Sequence, residues 1–479
     1  MWTKLAEHRE MRDSRICAMC GRALSAGAKS VLMVLLFLAA WGGCAAATEQ
    51  GSGAEPRLVF AHYMVCCPLA GEQVTVDDFL ADISAAHAAG IDGFALNCGE
   101  WNGSPRYKRN AAMLFEAARR FGSDFKLFFS ADRAGAPFGY DISADEAADM
   151  VVRYHDHPNQ LRYQGRPVLS TFTGDPAWFQ AIRAKIRQQI GEDVFLVPSF
   201  FPPSRHEVPN AQDLSELASQ SKDFDGFFYF GAAGASDDLA NAIRLNAEQW
   251  SKSGKLFMAG ITPYYRGLYS NYRVFENNGY DGLMKQWIAA IQSNTNWVEL
   301  VTWNDWSEDT YFSPLGATDD AMRWTREWGF LLSHDGFLAA TRYFSAWFKS
   351  GHQPAIDDEQ VFYAYRLHRR YAPGRPGPLE AKIGWPVGVL DLADQIYIFS
   401  LLRSPAEIVL KDGPSPQTAA LDAGAHVTSL PMQSGPVSLA VIRNGMTIGA
   451  KLGEFPISVV DGWSNFNMLA GEIPIGVHK

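Results

Sequence analysis

Short apolar runs alternate with longer amphipathic stretches between residue 57 and about residue 302. Eight of the runs are typical of buried parallel strands, because apolar residues fill most of their positions and turn residues follow them. The predicted strands cover 58–64, 91–97, 126–132, 167–172, 194–200, 226–230, 256–262 and 298–302. Between most of them apolar residues recur every three or four positions, which predicts helices. These helices cover 76–89, 110–121, 144–154, 176–190, 238–252 and 283–293.

Eight strands that alternate with helices over roughly 250–300 residues predict an α/β fold of the (β/α)8 TIM barrel type. A doubly wound open sheet is the competing arrangement. No GxGxxG motif follows the first strand and no P-loop motif occurs in the chain. Nucleotide binding therefore has no support from the sequence.

The pattern changes after the eighth strand. Residues 323–333 and 336–349 are predicted helices that cover the barrel, and a connection rich in Pro, Gly and Arg follows, with a candidate strand at 362–366. From about residue 379, short alternating runs separated by turn residues replace the helical periodicity. We therefore expect a catalytic barrel over 56–350, a connection over 351–378 and a sandwich-like all-β accessory domain over 379–479.

Composition and charge narrow the class of protein. The chain has 479 residues, of which 47% are hydrophobic and 20% charged, enough for a large core and a second, smaller domain. Its net charge is −10, and residues 1–47 hold six basic and three acidic residues, so the remainder is more acidic still. An acidic protein argues against nucleic acid and anionic membranes as partners. We expect a monomer with a neutral substrate, a polysaccharide or oligosaccharide.

The first 47 residues have the features of a signal peptide. A basic stretch precedes an apolar run at 31–41, and the small residues at 42–47 offer an Ala-x-Ala cleavage site. The run is shorter than the roughly 20 residues that a stable membrane span needs. We therefore expect a secreted or periplasmic protein. A lipid anchor at Cys44 is the less favoured alternative, because Trp41 stands where such signals usually carry Leu.

Three cysteines remain after such a cleavage, Cys66, Cys67 and Cys98. Neighbouring cysteines rarely pair, so a bridge from Cys66 or Cys67 to Cys98 is one alternative in an oxidising compartment, and three buried thiols are the other. His155 and His157 flank an aspartate, but no third ligand is apparent nearby. We expect neither a metal nor a cofactor.

The segment 298–311 carries the clearest chemical signal. A short β-type run breaks there into a polar turn that holds Asp305, Glu308 and Asp309 beside Trp303 and Trp306. Burying an unpaired carboxylate is costly, so such acids belong in a solvated cleft. Two carboxylates with aromatic walls suit glycosidic bond cleavage, in which one acid protonates the leaving oxygen and the other activates water or attacks the anomeric carbon. The alternative is a helix N-terminus, which also favours acidic residues.

Other predicted strands also end in polar residues, and in a barrel of this kind the carboxyl ends of the strands hold the active site. These residues are His62, Asn97, Asp132, Thr171 and Thr262. Each by itself is equally well explained as a turn, cap or core residue. As a set they favour a site, and we predict that His62, Asn97, Asp132, Trp303 and Trp306 contact the substrate.

Five segments of the chain resemble glycoside hydrolase family 71, the α-1,3-glucanases also called mutanases. They cover 59–64, 90–97, 125–130, 196–200 and 302–308, in matching order over most of the predicted barrel. The most specific is Trp-Asn-Asp-x-x-Glu at 303–308. The resemblance implies a (β/α)8 barrel with an accessory β domain. It also implies hydrolysis of α-1,3-linked glucan with inversion, by Asp305 and Glu308 as the catalytic pair. Inversion separates the two carboxyl groups by about 6.5–9.5 Å.

The chain departs from this family pattern in places. Its catalytic turn continues Trp-Ser-Glu-Asp at 306–309 where the family usually has Tyr-Gly-Glu-Ser after the aspartate. The sixth strand ends in Tyr229 and Phe230 instead of a Trp-rich sequence, and Arg133 follows the third strand where the family is apolar. These departures bear on the substrate subsites more than on the reaction type. Two other hypotheses therefore remain: a non-catalytic glycan-binding barrel, and a hydrolase or transglycosylase for another α-glycan.

Overall fold

The computed structural model describes residues 56–134, 141–201, 204, 208–267, 272–316, 321–325, 329–370, 385–458 and 466–476. The expected signal peptide at 1–47 and Cys44 lie outside these residues. Within the described part, no helix has both the length and the apolar character that a membrane span requires.

Eight parallel strands form a curled sheet. They are β1 (Leu58–Met64), β2 (Gly93–Cys98), β3 (Lys126–Asp132), β4 (Arg166–Phe172), β5 (Phe195–Ser199), β6 (Gly226–Tyr229), β7 (Leu256–Ile261) and β8 (Trp297–Leu300). Their order is β6-β7-β8-β1-β2-β3-β4-β5, so β8 pairs with β1 in the middle of the sheet. At the two edges, the amide of Asp225 before β6 donates to the carbonyl of Leu196 in β5 at 2.9 Å. The α/β class predicted from the alternating pattern is confirmed.

Alternate residues of these strands enter two different cores, because successive side chains of a strand point to opposite faces. Val298 and Leu300 join the large apolar cluster between the sheet and the helices, which we call the helix-facing cluster. Trp297 joins a smaller cluster that draws residues from all eight strands, among them Phe60 and Phe128. Polar residues two or four positions further along the same strands therefore point into the interior of the curl.

Eight α-helices accompany the sheet in the described part of the chain. They are α1 (Val76–Ala88), α2 (Pro105–Phe121), α3 (Ala144–Tyr154), α4 (Pro176–Ile190), α5 (Ala211–Ser219), α6 (Ser236–Lys252), α7 (Tyr280–Gln292) and α8 (Asp335–Ser350). Side-chain caps fix several helix starts: Thr75 and Ser143 each form a reciprocal capping box with the acid three residues later. The periodicity did not predict α5, because Leu214 and Leu217 are its only buried apolar residues.

The helix predicted over 323–333 is wrong. The chain forms an antiparallel hairpin there, with Met322–Thr325 paired to Gly329–Leu332. Leu331 and Leu332 enter two separate apolar clusters. Neighbouring residues that point to opposite sides are a property of a strand, and this tertiary demand outweighs the local pattern.

Two antiparallel four-stranded sheets complete the described chain, in the orders β13-β10-β9-β16 and β12-β11-β14-β15. Their strands are β9 (Gln360–Arg366), β10 (Gln395–Leu402), β11 (Ala406–Lys411), β12 (Gln417–Leu421), β13 (Gly424–Pro431), β14 (Ser438–Arg443), β15 (Met446–Leu452) and β16 (Met468–Ile473). β9 lies inside the segment 351–378, which was expected to be a connection. It is an inner strand, paired with β10 and β16, because its alternate residues fill two apolar clusters.

Candidate active site

Asn304 ties the loop after β8 to the end of β1. Its side-chain amide donates to the carbonyls of Met64 and Cys67, both at 3.1 Å, and its Oδ1 accepts from the amide of Met64 at 2.7 Å. The indole Nε1 of Trp306 also donates to the carbonyl of Cys67, at 2.8 Å. Asp305 therefore lies between two residues whose side chains are anchored to the same neighbouring segment.

Asp305 is partly exposed, and its carboxyl group is held in a fixed orientation. Oδ1 accepts hydrogen bonds from the Ser307 amide at 3.1 Å, the Ser307 hydroxyl at 2.7 Å and the Glu308 amide at 3.2 Å. Its own amide donates to Oγ1 of Thr302 at 2.8 Å. Burial raises the pKa of Asp305, although these bonds and the nearby His62 favour the ionised form.

Glu308 lies beside an aromatic cavity of about 180 Å³. Its Oε1 accepts a hydrogen bond from the hydroxyl of Tyr265 at 2.9 Å. The rings that line the cavity are those of Phe172, Phe200, Phe201, Phe227, Phe228, Tyr229, Phe230 and Tyr265. Most of them belong to the end of β4, to β6 and to the segments that follow β5 and β6, so the aromatic wall beside this carboxyl group is made of phenylalanine and tyrosine.

Tyr265→Phe tests the hydrogen bond to Glu308. The substitution keeps the ring against Phe275 and removes the hydroxyl that donates to Glu308. A hydrogen bond to a charged group contributes about 1.5–3 kcal/mol, so kcat/KM should fall by about tenfold or more. The rate is measured on the preferred glycan of the wild type.

Tyr63→Phe is the matched control, because Tyr63 donates to Asp82 and its ring lies in the helix-facing cluster. It should lower stability and leave kcat/KM close to that of the wild type. Equal rates for Tyr265→Phe and the wild type would show that this bond does not matter for turnover.

Three of the predicted site residues, His62, Asn97 and Asp132, lie close together at the carboxyl ends of β1, β2 and β3. Nδ2 of Asn97 donates to Oδ2 of Asp132 at 3.2 Å, and Oδ1 of Asp132 accepts from the Ala134 amide at 3.0 Å. Burial raises the pKa of Asp132, these bonds and His62 oppose the shift, and the negative charge of Asp305 adds to it. His62, Asn97, Asp132 and Asp305 therefore share one electrostatic environment.

Glu299 of β8 is a residue of this cluster that the sequence analysis missed. Its Oε1 and Nδ1 of His62 are hydrogen-bonded at 2.6 Å, and both side chains are buried. Burial raises the pKa of Glu299, and the bond to His62 opposes the shift. The alternation of β8 places Glu299 on the same face as Trp297, but a single Glu inside an apolar run did not mark it as a site residue.

Trp303 and Trp306 do not take the substrate-stacking position that the sequence predicted. Trp303 is fully buried in the helix-facing cluster, with its ring 5.1 Å from that of Phe94. Trp306 is 1% exposed and packs on Tyr311 at 4.8 Å. The bonds of Asn304 and Trp306 to the segment after β1 turn both indoles away from the open side of the loop.

Both expectations for the cysteines are wrong. Cys66 and Cys67 are joined to each other by a disulfide, and Cys98 is a free, buried thiol whose pKa burial raises. Cys98 lies in the helix-facing cluster at the end of β2, and Cys66 packs against the same cluster from the segment after β1. The carbonyl of Cys67 accepts the bonds from Asn304 and Trp306, so the disulfide adjoins the support of the loop after β8.

Asp309, the third carboxyl group of the loop, is buried away from the cavity. It has a left-handed backbone conformation (φ 50°) and lies 3.7 Å from the guanidinium of Arg266. Burial raises the pKa of Asp309 to about 7 against the effect of Arg266. In the part of the chain that the structure describes, no group of three or more His, Cys, Asp or Glu side chains is placed to hold a metal ion.

Comparison with known proteins identifies a family and several similar proteins. The family model for glycosyl hydrolase family 71 matches residues 55–478. A mutanase from Penicillium rubens is 27% identical over 440 residues, covering 88% of this chain and 90% of the relative. The glucan endo-1,3-alpha-glucosidase agn1 of Schizosaccharomyces pombe is 27% identical over 441 residues, covering 87% and 94%. Among solved structures, the GH99 endo-alpha-mannosidase from Bacteroides thetaiotaomicron matches with a TM-score of 0.48 at 16% identity, over 62% of this chain and 99% of that one.

Proposed function

The chain belongs to glycosyl hydrolase family 71, and on that premise we propose that it hydrolyses α-1,3-glucosidic linkages in glucan. Two relatives are named as a mutanase and a glucan endo-1,3-alpha-glucosidase, and each alignment covers at least 87% of both proteins. The observation that carries the proposal is the loop after β8. It presents Asp305, oriented by three donors, and Glu308, held by Tyr265 at the wall of an aromatic cavity.

In the proposed reaction, Asp305 and Glu308 share acid and base work. One carboxyl group donates its proton to the glycosidic oxygen as the bond to the anomeric carbon breaks. The other removes a proton from a water molecule that attacks this carbon from the opposite face, so the configuration inverts. The fixed orientation of Asp305 and the bond from Tyr265 to Glu308 reduce the reorganisation needed in the transition state.

The remaining polar cluster is the proposed contact for sugar hydroxyl groups. His62, Asn97 and Asp132 supply hydrogen-bond donors and acceptors beside Asp305. Phe201, which is 54% exposed, and the other rings of the cavity replace the tryptophans as candidate apolar faces for the pyranose rings. A neutral, polyhydroxylated ligand matches this combination, because each of its faces meets either apolar rings or paired polar groups.

The finer architecture is part of this proposal. We assign residues 56–350 to a (β/α)8 barrel, since strand order follows chain order and β5 and β6 share a hydrogen bond at the sheet edges. We assign the two C-terminal sheets to an accessory β-sandwich, since Val361 and Ile398 of one and Ile408 and Val441 of the other share one apolar cluster. Residues 1–47 would direct the enzyme to export.

Product release from a panel of polymers tests the function. The wild type is incubated with insoluble α-1,3-glucan, an α-1,4-glucan and a β-1,3-glucan, and released reducing ends are counted. We expect release from the α-1,3 polymer alone, and NMR of the nascent product should show the β anomer. Release from a different glycan would overturn the linkage and retain the hydrolytic mechanism. Binding to the α-1,3 polymer without any release would instead favour the non-catalytic glycan-binding alternative.

A further inference from the structure

Glu299 has an environment that a purely structural strand would not need. The side chain is completely buried, and its Oε2 has no hydrogen-bond partner among the described residues. A buried polar group without a partner costs about 1–3 kcal/mol, and a charged one costs more. Its neighbours on the same face, Trp297 and Val301, are apolar and fill the interior cluster. An apolar residue at position 299 would fit the same core at lower cost.

The register of the sheet brings Glu299 to the site. It lies opposite Phe60 of β1 and Gly260 of β7, and His62 follows Phe60 by two residues on the same face. A Cβ at Gly260 would lie 2.0 Å from the carbonyl oxygen of Phe230, so this glycine lets the chain that carries Phe230 approach. The ring of Phe230 in turn meets the imidazole of His62 edge-on at 5.2 Å.

His62 stands between Glu299 and the carboxyl groups of the proposed active site. In the described part of the chain, the titratable groups that act on it are Glu299 on β8, Asp132 on β3 and Asp305 on the catalytic loop. Its Nδ1 is engaged by Glu299, and Phe230 forms part of the cavity wall. Glu299 therefore holds the imidazole on one side, and the carboxyl groups of Asp132 and Asp305 lie on its other side.

We propose that Glu299 is a positioning residue for the hydrolysis, and that it acts through His62. By engaging Nδ1, Glu299 fixes the ring orientation and leaves Nε2 for the substrate side, whichever partner carries the shared proton. The imidazole is then already oriented when a sugar hydroxyl group binds beside Asp132 and Asp305. This inference rests on the proposed function for the identity of the reaction.

A double-mutant cycle tests the proposal with Glu299→Gln, His62→Gln and the double variant. Glu299→Gln preserves shape and removes the charge, and we expect kcat/KM to fall about 10- to 100-fold, the usual cost of losing such an orienting partner. Because Glu299 acts through His62, the double variant should be no slower than His62→Gln alone. The proposal would be overturned if the fold losses of the two single variants multiplied in the double variant. A wild-type rate for Glu299→Gln would also overturn it.

The pH dependence of kcat/KM should change in Glu299→Gln, whereas it would stay the same if Glu299 only stabilised the fold. His62 opposes the upward pKa shifts of Asp132 and Asp305. Without the bond from Glu299 the imidazole can turn away from these two carboxyl groups, so their pKa values rise further and the acidic limb of kcat/KM should move up by about 0.5–1 pH unit. Glu276→Gln, a buried carboxyl group paired with Arg366, is the matched control and should lower stability without moving this limb. An unmoved limb in Glu299→Gln would contradict the proposal.

A measurement on the wild type keeps the test independent of activity and of variant folding. The nitrogen signals of His62 are identified by NMR through their absence in His62→Gln. We expect a strongly hydrogen-bonded Nδ1 that is lost in Glu299→Gln. A solvent-like Nδ1 in the wild type would overturn the positioning role even if the enzyme hydrolyses glucan. Conversely, a bonded Nδ1 in a protein that hydrolyses no glucan would remove the proposed function alone.

Discussion

Asp305→Asn and Glu308→Gln should each lower glucan hydrolysis by about 10²–10⁴-fold, the usual contribution of a positioned acid or base. Both substitutions preserve shape. Asparagine still offers an oxygen to the Ser307 amide, and glutamine still accepts from Tyr265, so the loop keeps its supports. The loss should therefore appear in kcat and not in the thermal unfolding midpoint. Initial rates of reducing-end release, measured beside thermal scans, separate the two quantities.

Asp309→Asn is the matched control, since it removes a carboxyl group from the same loop. That group is buried beside Arg266 and does not line the cavity. The variant should retain most of the wild-type rate. If it instead lost as much activity as Asp305→Asn, the assignment of the pair to Asp305 and Glu308 would be wrong.

Two chemical probes then separate the acid from the base. The acid variant should recover activity on α-glucosyl fluoride, whose leaving group needs little protonation. The base variant should be rescued by azide, which replaces the activated water and gives a β-glucosyl azide in an inverting reaction. Recovery of both variants by the same probe would contradict a division of roles between these two residues.

Arg366→Met should lower the stability of the enzyme by about 3–5 kcal/mol, because it leaves a buried charge without its partner. Arg366 is fully buried and donates to Glu276 at 3.0 Å, to Asp394 at 3.0 Å and to the carbonyl of His368 at 2.7 Å. Glu276, on the segment before α7, has a pKa that burial raises and Arg366 opposes. The urea midpoint of the variant measures the loss.

The loss in Arg366→Met should also depend on pH. Without the guanidinium, the pKa of Glu276 rises further above its unfolded value, so the stability of the folded state falls as pH increases through that pKa. The deficit should be larger at pH 8 than at pH 5. Arg369→Met is the control, because Arg369 is 45% exposed and also contacts Asp394, at 3.3 Å. Its cost should stay within about 1 kcal/mol, and equal costs for both variants would refute the buried-charge argument.

The two-residue periodicity of the strands predicts which side of the sheet the site residues occupy. His62, Asn97 and Asp132 fall at the carboxyl ends of their strands, on the interior side, as the two-residue alternation requires. The same rule places Glu299 on the interior side of β8, although a single Glu inside an apolar run gave no separate signal. Its role emerges only from the pairing of β8 with β1, which joins residues 237 positions apart in the chain.

Local sequence did not predict the orientation of Trp303 and Trp306 or the rings that line the cavity. The orientation of Trp303 and Trp306 depends on hydrogen bonds to the segment after β1, more than 230 residues away. The rings around Glu308 belong to β4, to β6 and to the segments after β5, β6 and β7, and nothing in their local sequence marks them as cavity residues. The hairpin at 322–332 depends in the same way on tertiary packing, because Leu331 and Leu332 enter two separate apolar clusters.

The sequence by itself determined the α/β alternation, most strand and helix boundaries, the family and the loop with Asp305 and Glu308. These features depend on residues close together in the chain, where periodicity, capping and motif spacing act directly. Tertiary structure alone decided which aromatic rings face the cavity and which carboxyl group supports His62. Each of these is a contact between distant segments, and its partner is chosen by strand register and by packing in the completed fold.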